Sequence, residues 1–142
     1  MKTVMFCGHS KVNDPEKVRE WLYEQIEEII AEGATEFFLG GYGEFDNLAA
    51  YVVSKLKKQY PNVSSVLVLA YPNAKIDSML CDKSVYPPLE KVPRKFAIVN
   101  RNRWMVENSD AVIAYVLYDW GGAAKTLEYA TKKQKKIVSY CK

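Results

Sequence analysis

Two glycine clusters carry the strongest chemical signal in this chain of 142 residues. Gly40-Gly41-Tyr42-Gly43 and Gly121-Gly122 each follow an apolar run and open a helical pattern. Glycine at a strand-to-helix turn lets the backbone approach a ligand closely, and the free N–H groups of a helix start carry a partial positive charge. Both features suit a phosphate. A third turn, Gly8-His9-Ser10, holds the one histidine of the chain. That side chain can contact a phosphate or a base, or act as acid or base near neutral pH. Tyr118, Asp119 and Trp120 precede the second glycine pair. An aromatic ring there could stack on a base, and Asp119 could bind ribose hydroxyls. Arg101 and Arg103 offer forked donors for phosphate, but two residues apart on a helix they point about 200° from one another.

Other chemistries fit poorly. There is no GxxxxGK[ST] phosphate loop, and no GxGxxG follows the first strand, which argues against P-loop NTPases and ordinary dinucleotide dehydrogenases. Cys7, Cys81 and Cys141 are far apart and odd in number, and no CxxC pair occurs. With a single histidine, this argues against a zinc site or a disulfide framework, so neither metal nor cofactor is expected. A Ser- or Cys-based hydrolase could use only His9 as its base. The net charge of +3 is too small for a strongly basic nucleic-acid face, though it allows a local basic pocket for an anionic small molecule. Forty-nine per cent apolar and 26% charged residues describe an ordinary globular chain. No apolar run approaches the ~18–20 residues that span a bilayer, and the N-terminal run is too short for a signal peptide. The reading is a cytoplasmic protein with no membrane partner.

The elements that must position these residues alternate. Short apolar strands are expected at 3–7, 35–39, 65–70, 110–117 and 137–140. Helices are expected from Asp14-Pro15 to Gly33, over 44–60, over 94–108 and from the second glycine pair to about 133. Residues 71–93, with four prolines, read as an irregular binding loop or lid with a short helix at 76–80. This pattern predicts one α/β domain over 1–142. Its fold is Rossmann-like, a three-layer α/β/α sandwich on a five-stranded parallel sheet of order 3-2-1-4-5. Ligands in such sheets bind beyond the carboxyl ends of the strands at the winding reversal, here between the first and fourth strands.

Three stretches also resemble a known family. Gly40-Gly41-Tyr42-Gly43-Glu44-Phe45-Asp46 is similar to the GG-x-G-x-x-D turn of the SMF/DprA–LOG (SLOG) superfamily. Arg101-Asn102-Arg103 followed by Ser109-Asp110 resembles its RNR helix and next strand, and Gly121-Gly122 through Thr126 and Glu128 resembles its GGxGTxxE helix start. The resemblance implies a Rossmann-like domain that binds nucleotides or nucleotide-derived ligands. It adds Gly41, Gly43, Asp46, Arg103 and Thr126 to Gly8, His9, Ser10, Gly40, Arg101, Asp119, Trp120, Gly121 and Gly122 as ligand-binding candidates. In one branch, which cleaves nucleoside 5′-monophosphates as phosphoribohydrolases, the catalytic pair falls on Arg101 and Glu128. Another branch binds single-stranded DNA, and many members form homo-oligomers. In this sequence Ala124 stands at the third glycine, the threonine is displaced to 126, and Trp120 replaces the usual proline. These departures favour binding over cleavage. Phosphoribohydrolase activity, or a single-stranded DNA or protein-binding role, remains the alternative.

Overall fold

The computed structural model describes residues 2–72 and 81–141. Strand β1 (Thr3–Gly8) leads to helix α1 (Pro15–Ala31), then β2 (Glu36–Leu39), α2 (Glu44–Leu56) and β3 (Ser64–Val68). After β4 (Lys83–Val85) and a single 3-10 turn at Arg94–Phe96 come α3 (Ala97–Glu107), β5 (Ala111–Tyr115), α4 (Gly122–Lys132) and β6 (Lys136–Ser139). The architecture is the expected Rossmann-like α/β one with a parallel sheet. The sheet differs from expectation: it has six strands in the order β4-β3-β2-β1-β5-β6, not five. Strand β1 lies between β2 and β5, and the winding reverses there.

The added strand falls inside the segment read as irregular. Lys83-Ser84-Val85 has no apolar run to announce it, because it is an edge strand with its first two residues exposed. Asp82 anchors it instead. Its carboxylate accepts the Ser65 N–H at 2.8 Å and pairs with Lys57 at 2.6 Å, while Leu69 N–H donates to the Val85 carbonyl at 2.8 Å. The short helix expected at 76–80 lies outside the described residues. Helix α2 stops at Leu56 rather than at 60, where its bonds tighten to i−3 turns, Lys58 N–H to the Lys55 carbonyl and Gln59 N–H to that of Leu56. Asp14 does sit at the N-cap of α1 before Pro15. It does so at φ 54°, a left-handed conformation that Asp tolerates, and without a side-chain cap. Gly33 ends α1 as predicted: its N–H donates to Ile30 and that of Ala34 to Ile29, the paired bonds of a Schellman motif.

The central strands read as unbroken apolar runs because helices cover both faces. Alternation along β1 sends Val4 and Phe6 to one layer and Met5 and Cys7 to the other. The first layer holds Val18, Leu22 and Ile26 of α1 with Phe45, Val52 and Val53 of α2. The second holds Met105 and Val106 of α3 and Ala130 of α4. Among the described residues no helix is long and apolar enough to cross a membrane.

At the end of β1 the packing is tight enough to dictate residue type. A Cβ on Gly8 would lie 2.2 Å from Phe45 Cδ2 and 2.8 Å from Phe45 Cβ, well inside contact distance. Relief requires moving a fully buried ring, so Gly8→Ala should destabilise the fold by about 3 kcal/mol. Urea unfolding measures this directly. An unchanged midpoint would mean that Phe45 has room to move.

Candidate functional site

The carboxyl ends of β1, β2 and β5 open into a crevice of about 330 Å³. The turn after β1, the loop after β2, the inner face of α3 and the start of α4 line it. This is the place that the winding reversal predicts.

The loop after β2 is closed on the protein itself. Asp46 is the third residue of α2 and is buried, 8% exposed. Its Oδ2 accepts the N–H groups of Gly40 at 3.0 Å and Gly41 at 3.1 Å. Amides that could cradle a phosphate therefore already hold a carboxylate. Arg101, only 3% exposed, reaches from α3 to the same loop. Its Nη1 donates to the carbonyls of Gly40 at 2.9 Å and Val68 at 3.0 Å, and its Nε donates to Asn102 Oδ1 at 2.8 Å. Its Nη2 makes no hydrogen bond among the described residues. A Cβ on Gly40 would sit 3.1 Å from the guanidinium carbon, so this glycine admits Arg101. Burial pushes the Asp46 carboxyl up to about 6, outweighing Arg101 and the loop amides, which favour its charged form. Burial likewise lowers the Arg101 pKa, against the pull of Asp46.

The start of α4 is open. Gly121 has φ 92°, in the left-handed region that favours glycine. A Cβ on Gly121 or Gly122 would meet no atom within 4 Å. No side chain caps this helix, and no acidic residue lies in its first turn. The N–H groups of Gly122, Ala123 and Ala124 have no partner within the helix, as at any helix start. Beside them, the Cys7 thiol donates to the Ala123 carbonyl at 3.3 Å, and burial pushes its pKa up to about 12. It is a protonated structural thiol rather than a nucleophile.

Three rings form a column at the rim. His9 stacks on Tyr118 with centroids 3.9 Å apart and 7° between planes, and Tyr118 stacks on Trp120 at 4.0 Å and 24°. The Leu117 N–H donates to His9 Nε2 at 2.8 Å, so the imidazole is neutral with its proton on Nδ1. Burial lowers its pKa and reinforces that state. Trp120 ends the column 66% exposed, one face against Tyr118 and a large apolar surface left open among the described residues.

Of the candidates, Gly8, His9, Ser10, Gly40, Asp46, Arg101, Trp120, Gly121, Gly122 and Thr126 line the crevice. Thr126 gives its hydroxyl proton to the Gly122 carbonyl at 2.9 Å. Gly41, Gly43, Arg103, Asp119 and Glu128 do not line it. Gly43 serves loop packing, since its Cβ would lie 2.7 Å from Ser10 Cα at φ 91°. Arg103 is on the outer face of α3, its guanidinium 5.3 Å from the Tyr129 ring. Glu128 is also outside, paired with Lys132 at 3.5 Å, and so is not brought together with Arg101. Sequence reasoning missed Tyr42, Ile98, Asn102 and Met105. Tyr42 looked like a spacer between glycines, yet its ring lies 5.7 Å from the Arg101 guanidinium. Asn102 could have been found as the neighbour able to orient Arg101. Among the described residues no cluster of three or more His, Cys, Asp or Glu could hold a metal ion.

The raised Asp46 value gives a signed pH dependence. The folded state keeps this proton up to about pH 6, where the unfolded chain has lost it, so this group lowers stability as pH rises from about 4 to about 6. The effect is roughly 3 kcal/mol. His9, whose folded pKa is lowered, works in the opposite sense, adding stability as pH rises toward 6.5. The comparison must therefore be differential. Urea unfolding at about pH 4 and about pH 7 should show wild type losing stability relative to Asp46→Asn. Equal pH slopes in the two proteins would mean that Asp46 titrates normally.

No family model and no curated protein matches the sequence. Solved structures do. TM1055 superposes with a TM-score of 0.65 at 18% identity, over 96% of this chain and 72% of that one. DNA processing protein A from Helicobacter pylori, described for its single-stranded DNA binding mode, superposes at 0.67 and 18% identity over 99% of this chain. This chain spans 65% of that protein's length. The Moco carrier protein of Chlamydomonas rheinhardtii gives 0.58 at 17% identity, over 97% of this chain and 74% of that one. The chain therefore has the Rossmann-like fold of DNA processing protein A, the fold that its resemblance to the SMF/DprA–LOG superfamily leads one to expect.

Proposed function

We propose that this chain binds a nucleotide or nucleotide-derived ligand, with a phosphate at the start of α4 and a planar base against Trp120. One observation carries the reading. Gly121 and Gly122 are free of the packing duties that explain Gly8, Gly40 and Gly43, and they face open space beside unpartnered helix amides. The rest of the crevice suits the same ligand. Among the described residues Arg101 Nη2 is an unused donor, and the aromatic column ends in an open face. A volume of about 330 Å³ fits a mononucleotide-sized ligand.

The reading is of binding rather than hydrolysis. Asp46 is the one carboxylate among the described residues lining the crevice, and its Oδ2 is held by two loop amides. Neighbouring folds do not choose the ligand, since one is described for single-stranded DNA binding and another as a Moco carrier. The choice rests on the site.

A thermal-melt panel of nucleoside mono-, di- and triphosphates, with a short single-stranded DNA, tests the proposal. A bound nucleotide at ~100 times its Kd should raise Tm by about 5–10 °C. Gly122→Ala is the decisive variant. Its Cβ meets nothing in the protein, so Tm of the free protein should hold or rise slightly. Affinity should fall by about tenfold, because the methyl group occupies the place of the phosphate. No shift with any nucleotide, a shift with DNA alone, or full affinity in Gly122→Ala would overturn the reading.

A further inference from the structure

We propose that the crevice is one half of a two-part site, and that its ligand carries two phosphate-bearing halves, as in a dinucleotide joined through its phosphates. This rests on the nucleotide-binding reading above and extends it to a surface which that reading leaves unused. Between α3 and α4 runs a groove of about 370 Å³. It shares Ile98, Asn102, Gly122 and Thr126 with the crevice, so the two compartments are continuous across the start of α4.

Charge separates the two compartments. Among the described residues lining the crevice, Arg101 and Asp46 supply one charge of each sign. In the groove, the lining residues Arg103, Lys125 and Lys132 outnumber the one lining acid, Glu128, which pairs with Lys132; Glu107 stands at its edge, accepting from the Tyr129 hydroxyl. Arg103 and Lys125 have no ion-pair partner among the described residues. The surplus positive charge therefore lies beside the proposed phosphate position rather than in it. The same helices also line the groove with apolar surface: Ile98 and Val99 of α3 are 41% and 47% exposed, and Tyr129 of α4 carries the Arg103 guanidinium over its ring. Cations and exposed apolar side chains side by side, contributed by both helices, suit the phosphate and the ring of a second nucleotide half. Gly122, common to both compartments, is where the two halves would join.

The test compares, by titration calorimetry, each of the four ribonucleoside 5′-monophosphates with its symmetric pyrophosphate-linked dinucleotide. At least one dinucleotide should bind about tenfold or more tightly than its monophosphate. The double variant Arg103→Ala/Lys125→Ala alters exposed side chains and should cut that ratio to about twofold or less. Equal affinities in wild type, or a ratio that survives the double variant, would overturn the two-part site while leaving mononucleotide binding intact. Binding of neither partner of any pair would remove the nucleotide reading itself. Sedimentation of the free protein covers the other occupant. A stable dimer dispersed by Ile98→Glu would make the groove an interface between copies and overturn the proposal. A longer single strand preferred over every dinucleotide, with a steep salt slope, would do the same.

Discussion

Two buried polar side chains, the Asp46 carboxyl and the Arg101 guanidinium, organise the carboxyl end of this sheet through the loop after β2. Asp46 comes from α2 and Arg101 from α3, helices in opposite layers, and they meet at the loop after β2. Neither group tolerates burial without partners, and the loop amides and carbonyls supply them. The consequence reaches beyond the pair. Arg101 ties the ends of β2 and β3 together through the carbonyls of Gly40 and Val68. Next to it, the Glu44 N–H donates to the Ser10 carbonyl at 2.8 Å and the Val12 N–H to the Glu44 carboxylate at 3.1 Å, lacing the first two loops together. One side of the crevice is thereby rigid before any ligand arrives.

That rigidity separates glycines that look alike in one dimension. Gly8 yields to Phe45, Gly40 to Arg101 and Gly43 to the Ser10 backbone. Each is small because the protein fills the space itself. Gly121 and Gly122 are small with nothing beside them. A loop whose amides are already bonded offers a ligand little, whereas an uncapped helix start offers unsatisfied donors and a favourable dipole. The aromatic column adds a preorganised surface next to that start. His9 is locked by the Leu117 amide, Tyr118 is held against it, and Trp120 presents the outer face.

The fold itself leaves the ligand open, since proteins sharing it are described with different partners. The ligand reading for this chain rests instead on its distribution of charge. Arg101 and Asp46 are internal, whereas Arg103 and Lys125, without an ion-pair partner among the described residues, stand outside on the α3–α4 face. A modest net charge of +3 conceals this separation, because composition averages over both layers.

The sequence by itself determined the layered α/β architecture, the winding reversal beside β1, the stop of α1 at Gly33, and the location of the crevice. These follow from local periodicity and turn chemistry, which act over a few residues. It also determined that Arg101 and Arg103 point apart, since helical spacing alone fixes that angle. Only the tertiary structure decided the rest. The polar edge strand β4 is created by pairing with β3 and by Asp82, neither of which leaves a periodic trace. Asp46 filling the first glycine loop depends on a return of α2 onto the end of β2 and on an arginine 55 positions further along the chain. Glu128, which the resemblance paired with Arg101, falls on the outer face of α4 because helical phase there buries Thr126 and Ala130 instead. Whether a glycine opens space or merely concedes it depends on what the rest of the chain brings alongside, and that is settled only when the layers pack.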